Sequence, residues 1–151
     1  MPETIADVSR IVVLHDEPAT LRLAATVFAC LPTGSLVFLR GNLGAGKTTF
    51  VRGYLRAAGF TGKVKSPTFT LIEEYALPNL TLFHFDLYRL HDPEELEWIG
   101  LRDYLRPDAI SFIEWPEHGA GHLPEPDLDI ELRYRDQGRL AVIKTSRDRC
   151  Q

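Results

Sequence analysis

The sequence predicts an α/β fold, a mixed β-sheet that is flanked by helices and includes antiparallel hairpins. Residues 36–39 form an apolar run that passes through a glycine-rich turn into an amphipathic segment, as expected for a buried strand followed by a helix. Two pairs of β-rich runs, each joined by a short turn, indicate the hairpins. The length of 151 residues suits one domain, and we expect a single domain over residues 1–151.

The first half of the chain is predicted to alternate strands and helices. Residues 11–14 are apolar and mostly β-branched, which indicates an edge strand, and Asp16 can cap the helix that follows. This helix is expected to bury one apolar face, made of Leu21, Ala24, Ala25, Phe28 and Leu31. The strand at residues 36–39 comes next, and the helix after the glycine-rich turn is expected to end at Gly59.

The second half is predicted to contain both hairpins, a helical segment and a second buried strand. The hairpin strands are expected at residues 70–75 and 80–85, and at residues 128–134 and 140–145. Asp92 and Glu95 resemble a capping box, so a helix should start there, break at Gly100 and resume. Residues 110–114 should form a short buried strand that ends in a carboxylate.

The glycine-rich turn matches the phosphate-binding pattern G-x-x-x-x-G-K-[ST], with Gly41, Gly46, Lys47 and Thr48 at the fixed positions. Glycine lets backbone N–H groups approach a phosphate chain, and the helix that begins near Lys47 directs its positive end at the same anion. Lys47 should reach the β and γ phosphates, and the Thr48 hydroxyl should bind Mg²⁺. With a strand before the turn and a helix after it, this P-loop (residues 41–49) indicates a nucleotide site rather than a turn without a ligand.

Composition excludes several classes of function. The net charge of −4 argues against a protein that holds bare nucleic acid by its own electrostatic field. There is no apolar run of membrane-spanning length and no signal-peptide pattern, so we expect a cytoplasmic protein.

Two acidic residues end β-rich runs and are candidates to complete the metal site, Asp86 and Glu114. Residues 110–114 follow a helix, so a right-handed crossover would place them parallel to the strand before the P-loop, with Glu114 facing the phosphates. The run that ends in Asp86 belongs to a hairpin, and its end could lie elsewhere. We therefore assign Glu114, with Thr48, to Mg²⁺, directly or through water. The alternative for Glu114 is a solvated acid at a strand end.

Three side chains, Asp86, Thr68 and Trp115, each allow a functional and a structural interpretation. Asp86 could orient the attacking water, support the metal site or cap a turn. Thr68, in the loop after the P-loop helix, could sense the γ-phosphate or be an ordinary polar loop residue. Trp115 could stack on a ligand or partner, or lie buried beside its strand. His84 alternates with two phenylalanines and is expected to be structural.

The sequence also indicates which nucleotide is bound and which reaction is favoured. No Asn-Lys-x-Asp motif occurs, which favours ATP over GTP. The chain has no obvious insertion that could close over a small acceptor, which favours partner-coupled hydrolysis over phosphorylation of a metabolite. A kinase that uses the same loop and a nucleotide-gated binding module are the alternatives. Arg89 and Arg102 are available as catalytic arginines, but the sequence places neither at the γ-phosphate.

The order and spacing of four segments make the chain similar to a known family. They are the P-loop, Ser66-Pro67-Thr68-Phe69, His84-Phe85-Asp86-Leu87-Tyr88-Arg89-Leu90 and Ile113-Glu114-Trp115. Together they resemble the bacterial TsaE (YjeE) family, the ATPase of threonylcarbamoyladenosine (t6A) tRNA modification. The P-loop alone is generic, whereas the His-x-Asp-x-Tyr-Arg stretch with Glu-Trp makes the match specific, and it covers nearly the whole chain.

The resemblance implies an ATPase with weak activity of its own that works with TsaB and TsaD. ATP binding and hydrolysis would support turnover of the TsaD–TsaB complex, which modifies the adenosine beside the anticodon, so tRNA would be engaged only through that complex.

The resemblance also implies roles for individual residues. Lys47, Thr68 and Asp86 are the candidate catalytic residues, and Thr48 and Glu114 the metal ligands. The whole P-loop would bind the nucleotide, through Gly41, Asn42, Leu43, Gly44, Ala45, Gly46, Lys47, Thr48 and Thr49. Glu17 and Arg139 match positions that flank the nucleotide in relatives. Asn42 is a departure, since relatives often have an acid there.

Overall fold

Seven strands form one mixed sheet in the computed structural model, which describes residues 8–145. In chain order they are β1 Val8–Leu14, β2 Leu36–Arg40, β3 Ile72–Leu77, β4 Leu80–Asp86, β5 Ala109–Glu114, β6 Leu128–Arg135 and β7 Gly138–Thr145. Across the sheet their order is β1-β7-β6-β2-β5-β4-β3. Strands β6, β2, β5 and β4 run parallel, whereas β1, β7 and β3 pair antiparallel with their neighbours. The predicted fold class is therefore confirmed, including both hairpins and the edge position of β1.

Helices cover both faces of the sheet. They are α1 Glu17–Cys30, α2 Lys47–Ala57, α3 Glu95–Trp98 and α4 Leu101–Tyr104, with a 3₁₀ turn at Pro116–Gly119. Helices α1 and α2 pack on one face, where Val37 and Leu39 of β2 lie. Helices α3 and α4 pack on the other face, against Leu36 and Phe38. Because both faces are covered, β2 is apolar at successive positions rather than alternating.

Helix α1 begins where the sequence predicts, and its predicted apolar face is confirmed in part: Ala24 and Leu31 are buried, whereas Leu21, Ala25 and Phe28 are half-buried. The N–H of Ala19 donates to the Asp16 carboxylate at 2.9 Å, which caps the helix. Its buried residues are Thr20, Leu23, Ala24 and Val27. Apolar residues lie on two adjacent sides of this helix, so periodicity alone could not show which side meets the sheet. Both sides are in contact with the fold: a Cβ on Gly53 of α2 would lie 2.9 Å from the Ala24 Cβ and 3.0 Å from the Leu21 Cα, while Leu23 and Val27 belong to the core.

The helical segment after β4 breaks at Gly100 as predicted, but α3 begins two residues later than predicted, at Glu95, with Glu94 rather than Asp92 as its N-cap. The Asp92 carboxylate accepts the N–H of Glu94 at 3.0 Å, and the Glu95 carboxylate accepts the N–H of Asp92 at 3.4 Å. Gly100, with φ of 75°, separates α3 from α4. Within residues 8–145 no helix has the length and apolar character needed to cross a membrane.

The carboxyl ends of β2, β5 and β4 meet at one edge of the sheet. Glu114 is paired in register with Leu39 on one side and with Asp86 on the other. The predicted parallel placement of Glu114 beside the P-loop strand is confirmed. The expectation that Asp86 could end elsewhere is wrong, because β4 lies inside the sheet parallel to β5, and only β3 turns back along the edge.

Candidate functional site

Three glycines give the P-loop its shape. Gly41, Gly44 and Gly46 have φ angles of 151°, 82° and 106°, a region that side chains rarely adopt. A Cβ on Gly41 would lie 2.8 Å from the carbonyl oxygen of Leu132, and one on Gly44 would lie 2.5 Å from the Tyr134 hydroxyl. The backbone of β6 thus leaves no room for a side chain at Gly41, whereas at Gly44 the left-handed backbone favours glycine and only the tip of the Tyr134 side chain lies close.

The β6–β7 hairpin binds the back of the P-loop through two side chains. The Tyr134 hydroxyl donates to the carbonyl oxygen of Leu43 at 2.8 Å, and the Arg139 guanidinium donates to that of Gly44 at 3.1 Å. The guanidinium also stacks on the Tyr134 ring, 4.4 Å from its centroid. Arg139 shares a cavity of about 180 Å³ with Glu17 and Thr49. The structure therefore brings the two predicted flanking residues together at the start of α2.

A cavity of about 420 Å³ opens in front of the P-loop, and we call it the P-loop cavity. Its lining includes Leu43, Gly44, Gly46, Lys47, Thr48, Thr49, Ser66, Thr68, Asp86, Tyr88, Arg89, Glu114 and Trp115. The volume is within the usual range for ligand pockets. The predicted catalytic residues and metal ligands thus share one cavity, while Asn42 lies on a neighbouring groove and Ala45 is buried beneath the loop.

Lys47, Asp86 and Glu114 are buried at the base of this cavity, with 7%, 8% and 4% of their surface exposed, and we call them the charged floor. The Lys47 ammonium donates to the carbonyl oxygen of Gly41 at 2.6 Å and lies 3.3 Å from Glu114 Oε1. Asp86 accepts the backbone N–H of Tyr88 at 2.9 Å. Lys47 is therefore held between the P-loop backbone and the carboxylate that ends β5.

The two carboxylates of the charged floor have pKa values that shift in opposite directions. Burial alone would raise the pKa of Glu114, but the hydrogen bond from His84 and the nearby Lys47 outweigh it and lower that pKa. Burial raises the pKa of Asp86, and the charge of Glu114 adds to the effect, against the Tyr88 N–H and Lys47. Two buried carboxylates beside one lysine suit a further cation.

The oxygen donors of the P-loop cavity fit Mg²⁺. Thr48 and Glu114 both line it, and hydroxyl and carboxylate oxygens are ligands that Mg²⁺ accepts. Across residues 8–145 no three His, Cys, Asp or Glu side chains gather into a metal site. Mg²⁺ at nucleotide sites needs only one or two carboxylates, because phosphates and waters complete its coordination. Metal binding by Thr48 and Glu114 stays a prediction that this donor set supports.

Replacing Asp86 by asparagine should raise the free energy of unfolding of the free protein at neutral pH. The pKa of Asp86 is higher in the folded state than in the unfolded state, so as the pH rises the carboxyl loses its proton first in the unfolded state. The free energy of unfolding therefore falls as the pH rises from the unfolded-state pKa to the folded-state pKa of Asp86. Asparagine removes this penalty and keeps the acceptor for the Tyr88 N–H. In denaturant unfolding between about pH 4 and 8, the advantage of the variant should grow with pH and then level off.

In the same denaturant unfolding measurement, Glu114→Gln should show the opposite dependence of stability on pH. The lowered pKa of Glu114 means that its contribution to stability is present above its unfolded pKa and is lost as the pH falls through its folded pKa. An Asp86→Asn variant less stable than wild type at pH 7 would contradict the assignment of Asp86 as a buried, destabilising carboxylate.

Trp115 stacks on side chains of the site itself. Its backbone is left-handed, with φ of 55°, and its ring centroid lies 4.9 Å from the Lys47 ammonium. The ring also contacts Tyr88 and His118, with centroids 5.0 Å and 5.6 Å away. Trp115 is half-buried beside the strand end and lines the P-loop cavity, and its stacking on a ligand or partner stays a prediction.

Thr68 and Arg89 reach the P-loop cavity, whereas Arg102 does not. The Thr68 hydroxyl lies 2.7 Å from that of Ser66, and both residues line the cavity. The Arg89 guanidinium stacks on the exposed ring of Phe69, 4.6 Å from its centroid. Arg102 lines a different cavity, beside α3 and α4. Of the two arginines available in the sequence, only Arg89 is placed at the P-loop cavity.

His84 is the residue whose role the sequence interpretation missed. It is fully buried, and its Nε2 lies 2.5 Å from Glu114 Oε2. Alternation along β4 places its side chain on the same face as that of Asp86, two residues later. Two polar residues at this spacing in the otherwise apolar run 82–86 were the available signal.

The family of the chain follows from a match that covers most of the described residues. A family model with the description "Threonylcarbamoyl adenosine biosynthesis protein TsaE" matches residues 14–141. The chain belongs to the TsaE family. This confirms the resemblance that the four sequence segments indicate, and the matched range includes the P-loop, both acidic strand ends and Arg139 of the last hairpin.

Several bacterial proteins that are named tRNA threonylcarbamoyladenosine biosynthesis protein TsaE are similar to this chain. The Haemophilus influenzae protein is 55% identical over 104 residues, which is 69% of this chain and 66% of that protein, just under two thirds of it. The Rickettsia felis protein is 37% identical over 136 residues, 89% of this chain and 79% of that one. The Bacillus subtilis protein is 39% identical over 114 residues, 76% and 71% of the two chains.

A solved structure supports the fold directly. The crystal structure of YdiB from Bacillus subtilis superposes with a TM-score of 0.79 at 28% identity, covering 94% of this chain and 88% of that one. The mixed sheet and its flanking helices are thus an arrangement that this chain shares with YdiB.

Proposed function

We propose that this chain is a Mg²⁺-dependent ATPase of tRNA threonylcarbamoyladenosine biosynthesis that acts in the cytoplasm with TsaB and TsaD. The observation that carries the proposal is the charged floor, where Lys47 of the P-loop and Glu114 of β5 are buried 3.3 Å apart at the base of one cavity. A lysine and an acidic strand end in this relation form the basic machinery of P-loop phosphate chemistry. Membership of the TsaE family supports the biosynthetic role.

Each residue of the P-loop cavity takes a role that its position supports. The P-loop N–H groups and Lys47 would bind the phosphates, and Thr48 and Glu114 would hold Mg²⁺, which would neutralise charge on the phosphate oxygens. Asp86 lies beside Glu114 and would orient the attacking water. Thr68 lines the same cavity and would sense the γ-phosphate.

The open rim of the cavity supports slow hydrolysis by the chain alone. Leu43 and Tyr88 line the cavity and are 89% and 56% exposed, and Phe69, which is 82% exposed, stacks on Arg89 of the same lining. Exclusion of water strengthens the electrostatic interactions that stabilise transferring phosphates, and the rim leaves the site open to solvent. A partner protein that covers these side chains would therefore accelerate the reaction. The net charge of −4 supports contact with tRNA through the complex rather than by this chain alone.

Free phosphate released from ATP, by this protein alone and with purified TsaB and TsaD added, tests the proposal. We expect slow release alone and an acceleration of roughly 10²-fold with both partners, the order of magnitude that one added stabilising group supplies in a closed site. A Lys47→Ala variant in the same mixture controls for contaminating ATPases.

Two outcomes would contradict partner-coupled hydrolysis. Unchanged release despite ATP binding, together with partner binding that follows ATP occupancy, would instead identify a nucleotide-gated binding module. Phosphate found on an acceptor rather than in solution would identify a kinase.

A further inference from the structure

The Glu114 carboxylate is held from behind by a histidine that solvent does not reach. His84 is 0% exposed, and its Nε2 lies 2.5 Å from Glu114 Oε2. A carboxylate can only accept, so Nε2 carries the hydrogen and donates it. The two residues lie on adjacent parallel strands, β4 and β5, where His84 is in register with Phe112. The sheet thus fixes the backbone positions of both partners.

This hydrogen bond divides the two oxygens of Glu114 between two tasks. Oε2 accepts from His84, while Oε1 lies 3.3 Å from the Lys47 ammonium at the base of the P-loop cavity. Nδ1 of the same imidazole has no hydrogen-bond partner within residues 8–145, so the Glu114 contact is the polar interaction that orients the ring there. Turning the carboxylate to present both oxygens to the cavity would leave a buried N–H unpaired, which is unfavourable.

We infer that His84 is a positioning residue that makes Glu114 a one-oxygen ligand and thereby favours Mg²⁺ over Ca²⁺ at the nucleotide. The inference rests on the proposed function and takes Glu114 as a direct ligand of Mg²⁺. Mg²⁺ requires near-octahedral coordination at about 2.0–2.1 Å, whereas Ca²⁺ takes about 6–8 ligands and often binds both oxygens of a carboxylate. A carboxylate with one oxygen already bonded suits the smaller ion and denies the larger ion its second contact.

Two substitutions of His84 distinguish the effect of losing the hydrogen bond from the effect of losing the volume of the ring. His84→Gln retains an N–H donor at a similar distance from the backbone, whereas His84→Met has a similar length without a donor. The probe is a fluorescent ATP analogue, mant-ATP, and its Kd is measured with Mg²⁺, with Ca²⁺ and with EDTA. Circular dichroism and thermal unfolding establish that each variant is folded.

We expect His84→Met to weaken binding of the Mg²⁺ complex by about 10–100-fold, the usual effect of removing a group that orients a metal ligand. Binding of the Ca²⁺ complex should weaken less, and binding in EDTA should stay the same. His84→Gln should retain most of the wild-type preference for Mg²⁺. An unchanged ratio of the Mg²⁺ and Ca²⁺ dissociation constants in a folded His84→Met variant would overturn the role of His84.

A measurement on the wild-type protein tests the hydrogen bond even if His84→Met does not fold. With ¹⁵N-labelled histidine, the buried Nε2–H of His84 should give a downfield proton resonance that exchanges slowly and disappears in Glu114→Ala. A His84 Nε2–H that exchanges freely would overturn the inference. Failure of the wild-type protein to bind mant-ATP with either metal would instead overturn the proposed ATPase, so the two failures are distinguishable.

Discussion

Lys47→Ala should weaken ATP binding by roughly 30- to 4,000-fold, the factor that corresponds to a loss of about 2–5 kcal/mol when one partner of a buried charge pair is removed. Lys47 is the buried cation of the charged floor and opens α2, where the helix dipole also favours phosphate. Isothermal titration calorimetry with ATP and Mg²⁺ measures the effect directly.

The control for Lys47→Ala is a lysine of the same charge outside the cavity. Lys63 is exposed in the loop after α2, and Lys63→Ala should bind ATP as the wild type does. Loss of Lys47 also leaves Glu114 without its ammonium partner, so the variant should melt at a lower temperature, and binding is measured well below that temperature. Undiminished affinity in a folded Lys47→Ala variant would contradict the assignment of the P-loop as the phosphate site.

Glu114→Gln should lower Mg²⁺-dependent hydrolysis by about 10²-fold or more while part of the nucleotide affinity remains. The amide can still accept from His84, but it carries no charge to hold the metal. The P-loop backbone and Lys47, which we propose bind the phosphates, are unchanged in this variant. Phosphate release measured over a range of Mg²⁺ concentrations separates the loss of metal binding from a general loss of activity.

Glu117 provides the matched control for Glu114. It lies three residues later, its side chain is 51% exposed, and it pairs with Arg40 at 3.8 Å rather than with the charged floor. Glu117→Gln should therefore hydrolyse ATP with the wild-type dependence on Mg²⁺. A normal metal dependence in Glu114→Gln would move the metal site to Asp86, the other carboxylate at this sheet edge.

The P-loop and Glu114 could be predicted because local and topological rules were sufficient for both. The glycine pattern defines its own turn, and the right-handed crossover rule fixes the direction of β5 relative to β2. Asp86 could not be placed in the same way. A hairpin can join a sheet through either of its strands, and the pairing of β4 rather than β3 with β5 depends on contacts far apart in the sequence.

His84 and the buried face of α1 show a second limit of sequence interpretation. On β4 the two phenylalanines beside His84 face the α3–α4 core, so their apolar character says nothing about the opposite face, where His84 meets Glu114. On α1, Leu21 and Leu23 are equally apolar, yet Leu23 is buried in the core while Leu21 stays half-buried where α2 crosses at Gly53. Both outcomes depend on which element packs opposite the segment. The periodicity of one segment carries no information about that element.

The hydrogen bonds from the β6–β7 hairpin to the P-loop link nucleotide affinity to folding stability. The carbonyl oxygen of Leu43 and the N–H of Gly44 belong to one planar trans peptide and point in opposite directions, so the Tyr134 bond turns that N–H away from the hairpin. The loop therefore loses much of its conformational entropy when the protein folds. That loss does not have to occur again when a ligand binds. Conditions that loosen the C-terminal hairpin would then reduce affinity for phosphate even though every phosphate-binding group of the P-loop is intact.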